Sequence, residues 1–322
     1  MKTIGRFVLF VLILAMLGTI SHEHLNAAPG TGTLFGTDAL LGNLLIINPA
    51  TGTAQLVGST GASSVPSLAV DPLTGIMYAG GGGGFPNIYT VNPGTGAATL
   101  LGGTGLGFAA VAALDFNAAG TLYAAINIAG AGGTGADHLA IINKATGAAT
   151  VVGPFGACTG VTIPSAGEGS CTIEGIEGIA FDAAGTLWGS HRTDTTGAPG
   201  LYRINSATGA ATFAAPIVDA SGFPPIHGVV SLQFACDGTL YGGTAFPDGN
   251  LIIINPATGV FSTVGNTVPD GSLGALAFQS ACAPPQKIPA VSGGATVALV
   301  VLFAGSLMWM VSRRQRGVDQ VG

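Results

Sequence analysis

Charge is what this 322-residue sequence has least of: Asp, Glu, Lys and Arg make up 7% of it, against roughly 25% in soluble domains. Basic residues are the scarcer kind, nine against fifteen acidic ones. No basic stripe exists to neutralise phosphates, which excludes a nucleic-acid partner. There is no G-x-S-x-G elbow, no H-E-x-x-H pair and no C-x-x-C pair, so the commonest hydrolase, metalloprotease and zinc-site signatures are missing. What is present is glycine at 54 positions, proline at 18, apolar residues at 48% and a mean hydropathy of +0.59. A charge-rich cytosolic enzyme and a coiled coil do not fit that composition.

Part of the hydropathy lies at the two ends. Lys2 and Arg6 precede an apolar or small run, Phe7–Ile20, and a polar stretch, Ser21–Asn26, ends at small residues. This pattern predicts a signal peptide over 1–27; a permanent anchor, which needs about 20 apolar residues, is the alternative. At the other end a linker, 284–294, leads to the uncharged run Ala295–Val311, then Arg313, Arg314 and Arg316. That predicts a transmembrane helix over 295–312 and a basic cytoplasmic tail over 313–322, with the body, 28–283, outside.

Ile288-Pro289-Ala290-Val291-Ser292, followed by that helix and the arginine cluster, resembles the IPTL-CTERM sorting signal. That signal is a relative of the PEP-CTERM tails that exosortases process in Gram-negative bacteria. Ile288, Pro289 and Ser292 match it; Ala290 and Val291 replace its threonine and leucine. The resemblance implies export, membrane retention by the helix, and processing by an exosortase-type protease onto the cell surface or into the extracellular matrix. A plain tail anchor is the other reading.

Between the ends the chain repeats. The turn Asn-x-x-Thr-Gly begins at Asn48, Asn92, Asn143, Asn205 and Asn255. A G-T-L-aromatic segment recurs at Gly32–Phe35, Gly120–Tyr123, Gly185–Trp188 and Gly238–Tyr241, with Gly75–Tyr78 as a variant. An apolar strand precedes four of these and recurs as Gly274–Phe278 with nothing after it. Asn bonding its own backbone, Pro49, Pro93 and Pro256 presetting φ, and Gly supplying a positive φ build hairpin turns. Units of about 50 residues with four strands are propeller blades. The chain therefore reads as an all-β, five-bladed propeller whose closure blade is shared by both termini; six blades is the alternative. The strand order resembles NHL-type and YVTN-type propellers.

Cys158 and Cys171 bracket the insertion in the third unit, and their bridge would contribute roughly 3 kcal/mol by closing a short loop. Cys236 and Cys282 follow corresponding strands, so a second bridge is expected there; four cysteines suit an oxidising compartment. Gly130–Gly135 matches G-x-G-x-x-G, but a strand follows it instead of the helix a dinucleotide requires. Thirteen acids between Ala28 and Gln286 face only Lys144, Arg192 and Arg203, and most of the acids are expected in turns that they bond locally.

Glu174 and His227 stand seven residues before Phe181 and Phe234, at equivalent positions in the loops that lead into the inner strands. With Glu177, His191 and Arg192 they form the one candidate ligand site, at a channel mouth. Glu and His can share a divalent cation or act as acid and base, and in propeller lactonases and lyases such groups hold a metal near the axis. Two functions follow: a surface module that binds a glycan or protein, or serves structurally, without a cofactor; or a lactonase-like hydrolase or lyase with Glu174 and His227 as its catalytic pair.

Overall fold

The computed structural model describes residues 32–128, 136–156, 173, 175–191, 200–225 and 228–279. The expected signal peptide, sorting motif, transmembrane helix and arginine tail lie outside these residues. Among the described residues no helix is long and apolar enough to cross a membrane.

Among the described residues twenty strands follow one another. Blade 1 takes β1 (Leu34–Asp38), β2 (Asn43–Ile47) and β3 (Ala54–Ser59). Blade 2 is β4 (Ser67–Val70), β5 (Met77–Gly80), β6 (Asn87–Val91) and β7 (Ala98–Gly103). Blade 3 is β8 (Ala110–Phe116), β9 (Leu122–Asn127), β10 (His138–Ile142) and β11 (Ala149–Pro154). Blade 4 is β12 (Ile176–Phe181), β13 (Leu187–His191), β14 (Gly200–Ile204) and β15 (Ala211–Pro216). Blade 5 is β16 (Val229–Phe234), β17 (Leu240–Thr244), β18 (Asn250–Ile254) and β19 (Phe261–Asn266). The last strand, β20 (Leu273–Phe278), returns to blade 1 as its innermost strand.

Each blade is an antiparallel four-stranded meander. Leu34 pairs with Phe278 and Phe35 with Ala277, so the two ends of the body close the ring by hydrogen bonding. The inner strands touch in a circle, β4 to β8 to β12 to β16 to β20 and back to β4. Five blades of four strands, with the shared closure blade, are what the repeat predicted. By pairing with β1, β20 covers an edge that would otherwise be open to association.

Both faces of every sheet are apolar because each packs on a neighbour, and the buried residues form five clusters, one per seam. The repeating aromatic has a definite partner. Tyr78 meets Phe116, Tyr123 meets Phe181, Trp188 meets Phe234 and Tyr241 meets Phe278, at centroid distances of 5.7, 5.2, 6.5 and 5.9 Å. Each pair joins the second strand of one blade to the inner strand of the next, the tilted geometry aromatic rings prefer.

The Asn-x-x-Thr-Gly turn is a clasp as well as a turn. Asn143 Oδ1 accepts the Ala145 N–H (2.8 Å), and Asn143 O accepts the Gly147 N–H (2.8 Å). Gly147 stands at φ 77°, where a side chain is strained. It also lies against the preceding blade: a Cβ there would come within 2.7 Å of Gly102 O, and a Cβ on Gly102 would collide with Thr146 O. Gly96 faces Gly58, Gly209 faces Gly153 and Gly52 faces Gly265 in the same way.

A third device is a hydroxyl tie. Thr37, Ser67, Ser190 and Ser231 donate through their side-chain oxygens to the carbonyls of Val65, Val111, Val229 and Leu273 on the next blade (2.7, 2.6, 3.0 and 2.9 Å). The donor sits on the first or second strand of its blade. Its cross-strand partner is small: Ala275, Gly80, Gly178 and Gly243 respectively. In blade 3 both positions are alanine, Ala113 opposite Ala125, and the seam from blade 3 to blade 4 has no such tie.

Candidate functional site

Where the repeat breaks is where side chains depart from a purely packing role. A bulge interrupts the pairing of the inner strands at Ala112, Glu177, Val230 and Gly274, and Pro66 holds the same register in blade 2. Glu177 is the only ionisable residue of this ring. Pro66, Ala112, Glu177 and Gly274 border the axial cavity, whose free volume is about 10 Å³, close to the minimum for a single water.

The seam between blades 3 and 4 substitutes carboxylates for the missing hydroxyl. Asp115, 7% exposed on β8, accepts the Phe181 N–H through Oδ2 at 2.6 Å. Burial pushes its carboxyl up to about 7, against the opposing effect of hydrogen bonds from Phe181 and Phe116 N–H. Its register equivalents are Ala69, Ala180, Gln233 and Ala277, so its position owes nothing to the repeat. Asp137, 1% exposed, lies toward the other end of the seam. It accepts the Ile128 N–H through Oδ1 and the Gly175 N–H through Oδ2, both at 2.6 Å.

These two acids are exceptions to the local bonding in turns expected of most of the acids. Asp38, Asp71, Asp182, Asp219 and Asp237 do so; Asp115 and Asp137 each bond a backbone N–H of the next blade. An Asp in a strand position held by alanine in three of the other four blades was the available signal. Near Asp137, Asn127 is 3% exposed and its Oδ1 accepts no hydrogen bond.

Of the five residues expected at the channel mouth, the structure describes Glu177 and His191. Glu177 borders the axis. His191 ends β13, paired with Ile176, and its ring stands 6.3 Å from that of Tyr202 in the apolar filling of the seam with blade 3. Glu174, Arg192 and His227 lie outside the described residues. Among the described residues no three His, Cys, Asp or Glu side chains are grouped to hold a metal. Cys236 is disulfide-bonded, while Cys158, Cys171 and Cys282 lie outside the described residues.

No family model matches the sequence, and no curated protein matches it. Solved structures similar in fold include a chain of a nidogen/laminin complex, 13% identical over 79% of this chain and 100% of that one (TM-score 0.49). A gluconolactonase from Xanthomonas campestris is 14% identical over 74% and 73% (0.45). A PQQ-bound aldose sugar dehydrogenase from Streptomyces coelicolor is 15% identical over 73% and 78% (0.41). The blade count and closure rest on the strand pairing of this chain itself.

Proposed function

We propose that this chain is an exported, surface-sorted propeller that acts as a binding or structural module of the cell envelope or extracellular matrix. One observation carries the reading. None of the outermost strands β3, β7, β11, β15 and β19 holds a charged side chain. At equivalent positions on three of them, Leu56, Leu100 and Val151 are exposed. The body between Ala28 and Gln286 carries thirteen acids and three bases, so it repels acidic surfaces generally, yet its rim is uncharged and partly apolar. Such a rim lets another surface approach without electrostatic cost, and exposed apolar patches mark interaction sites.

Export and sorting rest on Lys2, Arg6 and the apolar run after them, on Ile288, Pro289 and Ser292, and on the helix and arginines that follow. Disulfides Cys158–Cys171 and Cys236–Cys282 belong to the same reading, as products of an oxidising compartment. The test is fractionation of the native host with intact-mass analysis of the mature protein. Recovery from the surface or matrix, cleaved behind Ala27 and near Ser292, is the expected result. A chain that still ends at Gly322, held in the inner membrane, overturns the sorting proposal. Lactone hydrolysis that needs a divalent cation and vanishes in Glu174→Ala and His227→Ala would replace the module with the enzyme.

A further inference from the structure

The connection from β15 to β16, residues 217–228, is longer than three of its four counterparts, 60–66, 104–109 and 267–272. Its described part folds over the outer half of blade 5 and walls a groove of about 420 Å³, within the ~300–1,000 Å³ of small-molecule sites. This groove is separate from the axis and from the seam between blades 3 and 4.

Its polar lining is unspent. Asp219 uses Oδ1 to accept the Ser221 and Phe223 N–H groups (2.8 and 2.9 Å), which leaves Oδ2 to the groove. Asp248 lines it, as does Asn250, whose backbone N–H donates to Thr244 Oγ1 at 2.8 Å. Thr244 is 2% exposed; its hydroxyl accepts that bond, and among the described residues its own proton has no acceptor. Ser262 and Thr263 add hydroxyls, and Phe261 with Pro224 and Pro225 adds apolar surface. Among the described residues no Lys, Arg or His lines the groove.

We infer that this groove binds a neutral saccharide. The two carboxylates, with no base among the described lining residues, disfavour phosphates and uronates. The volume far exceeds what a lone cation needs. Acceptors (Asp219, Asp248) and groups that both donate and accept (Asn250, Thr244, Ser262, Thr263) complement sugar hydroxyls, which do both. The apolar wall suits the C–H face of a sugar ring. This deepens the binding-module reading and rests on it.

The experiment titrates the mature protein with glucose, galactose, N-acetylglucosamine and their disaccharides, and in parallel with calcium chloride, by saturation-transfer NMR and calorimetry. Expected is binding of at least one neutral sugar. It weakens at least tenfold in the Asp219→Asn, Asp248→Ala double variant, and also in Ser262→Trp, which obstructs the groove from an exposed position. Unchanged melting temperatures would show that both variants fold. Sugar binding that survives both variants removes the groove but leaves the module. No binding of any neutral sugar overturns the assignment, while envelope association can still stand. Calcium binding that is lost in Asp248→Ala, with no sugar bound, makes the groove a cation site and also overturns it.

Discussion

Replacing Asp115 by asparagine tests the carboxylate seam. The amide keeps an oxygen to accept the Phe181 N–H and abolishes titration. In the unfolded chain an aspartate titrates near 3.8; in the fold Asp115 is pushed up to about 7, burial being the largest cause. The ionisable groups facing it are few. Tyr123 lies directly across on β9. Asp182, next to Phe181, is held below its ordinary value: its burial is outweighed by hydrogen bonds from Trp188 Nε1, Thr186 and Ala184. Between about pH 4 and 7 the native state therefore binds more protons at Asp115 than the unfolded state does, so this residue's contribution falls as pH rises. It is fully present below 3.8 and gone above about 7. At 1.36 kcal/mol per pH unit, the swing is about 4 kcal/mol.

The stability of the native protein relative to Asp115→Asn should therefore decline by about 4 kcal/mol from pH 4 to pH 8, with no further change above. Urea denaturation of both proteins across that range measures it. In thermal melts a domain of this size shifts about 2–4 °C per kcal/mol, so the relative melting temperature should move by about 10 °C. A difference that stays flat to within about 1 kcal/mol, or that grows with pH, would refute the seam as a buried, proton-binding contact.

Two further substitutions probe other seams. Gly147→Ala places a Cβ at φ 77° and within 2.7 Å of Gly102 O; strain and displacement together should cost about 2 kcal/mol or more, read as a lowered urea midpoint, and a neutral result would remove the clasp. Lys144→Met breaks the 2.7 Å ion pair with Asp71, whose carboxyl is held low because that pair and local hydrogen bonds outweigh its burial. The pair stabilises the fold above about pH 4 and its contribution is lost as pH falls through the lowered pKa, so the variant should lose about 1–3 kcal/mol at pH 7 and converge with the native protein in acid.

The devices that repeat were visible in the sequence, and those that occur once were not. Five copies of Asn-x-x-Thr-Gly, and four of Gly-Thr-Leu-aromatic with Gly75–Tyr78 as a variant fifth, set the strands, the blade count and the shared closure blade, because a contact repeated from seam to seam imposes similar residue types each time. The partners of those residues were hidden. Nothing in Tyr123 names Phe181, and nothing in Gly147 names Gly102, since both contacts run from one blade to another. Glu174 and His227 drew notice by the same logic of equivalent positions. Asp115 is invisible to it: alone in a strand, it looks like one more acid in an acidic chain until its neighbours in register prove to be mostly alanine.

The scarcity of charge and the abundance of glycine have a common cause in the seams. A ring of five sheets that pack face to face has little surface on which a charge can stay hydrated, and the outer strands that do reach solvent carry none. Glycine stands at the turn of every clasp and, in four of the five, again at the opposing bulge; opposite Gly259 that place is taken by Ala215 and Pro216. Blade 3 shows what happens when one element of the scheme is missing. With alanine at both hydroxyl positions, the seam to blade 4 is bridged by Asp115 and Asp137. A neutral tie has there become an ionisable one, and that seam's stability becomes dependent on pH while the four hydroxyl ties remain indifferent to it.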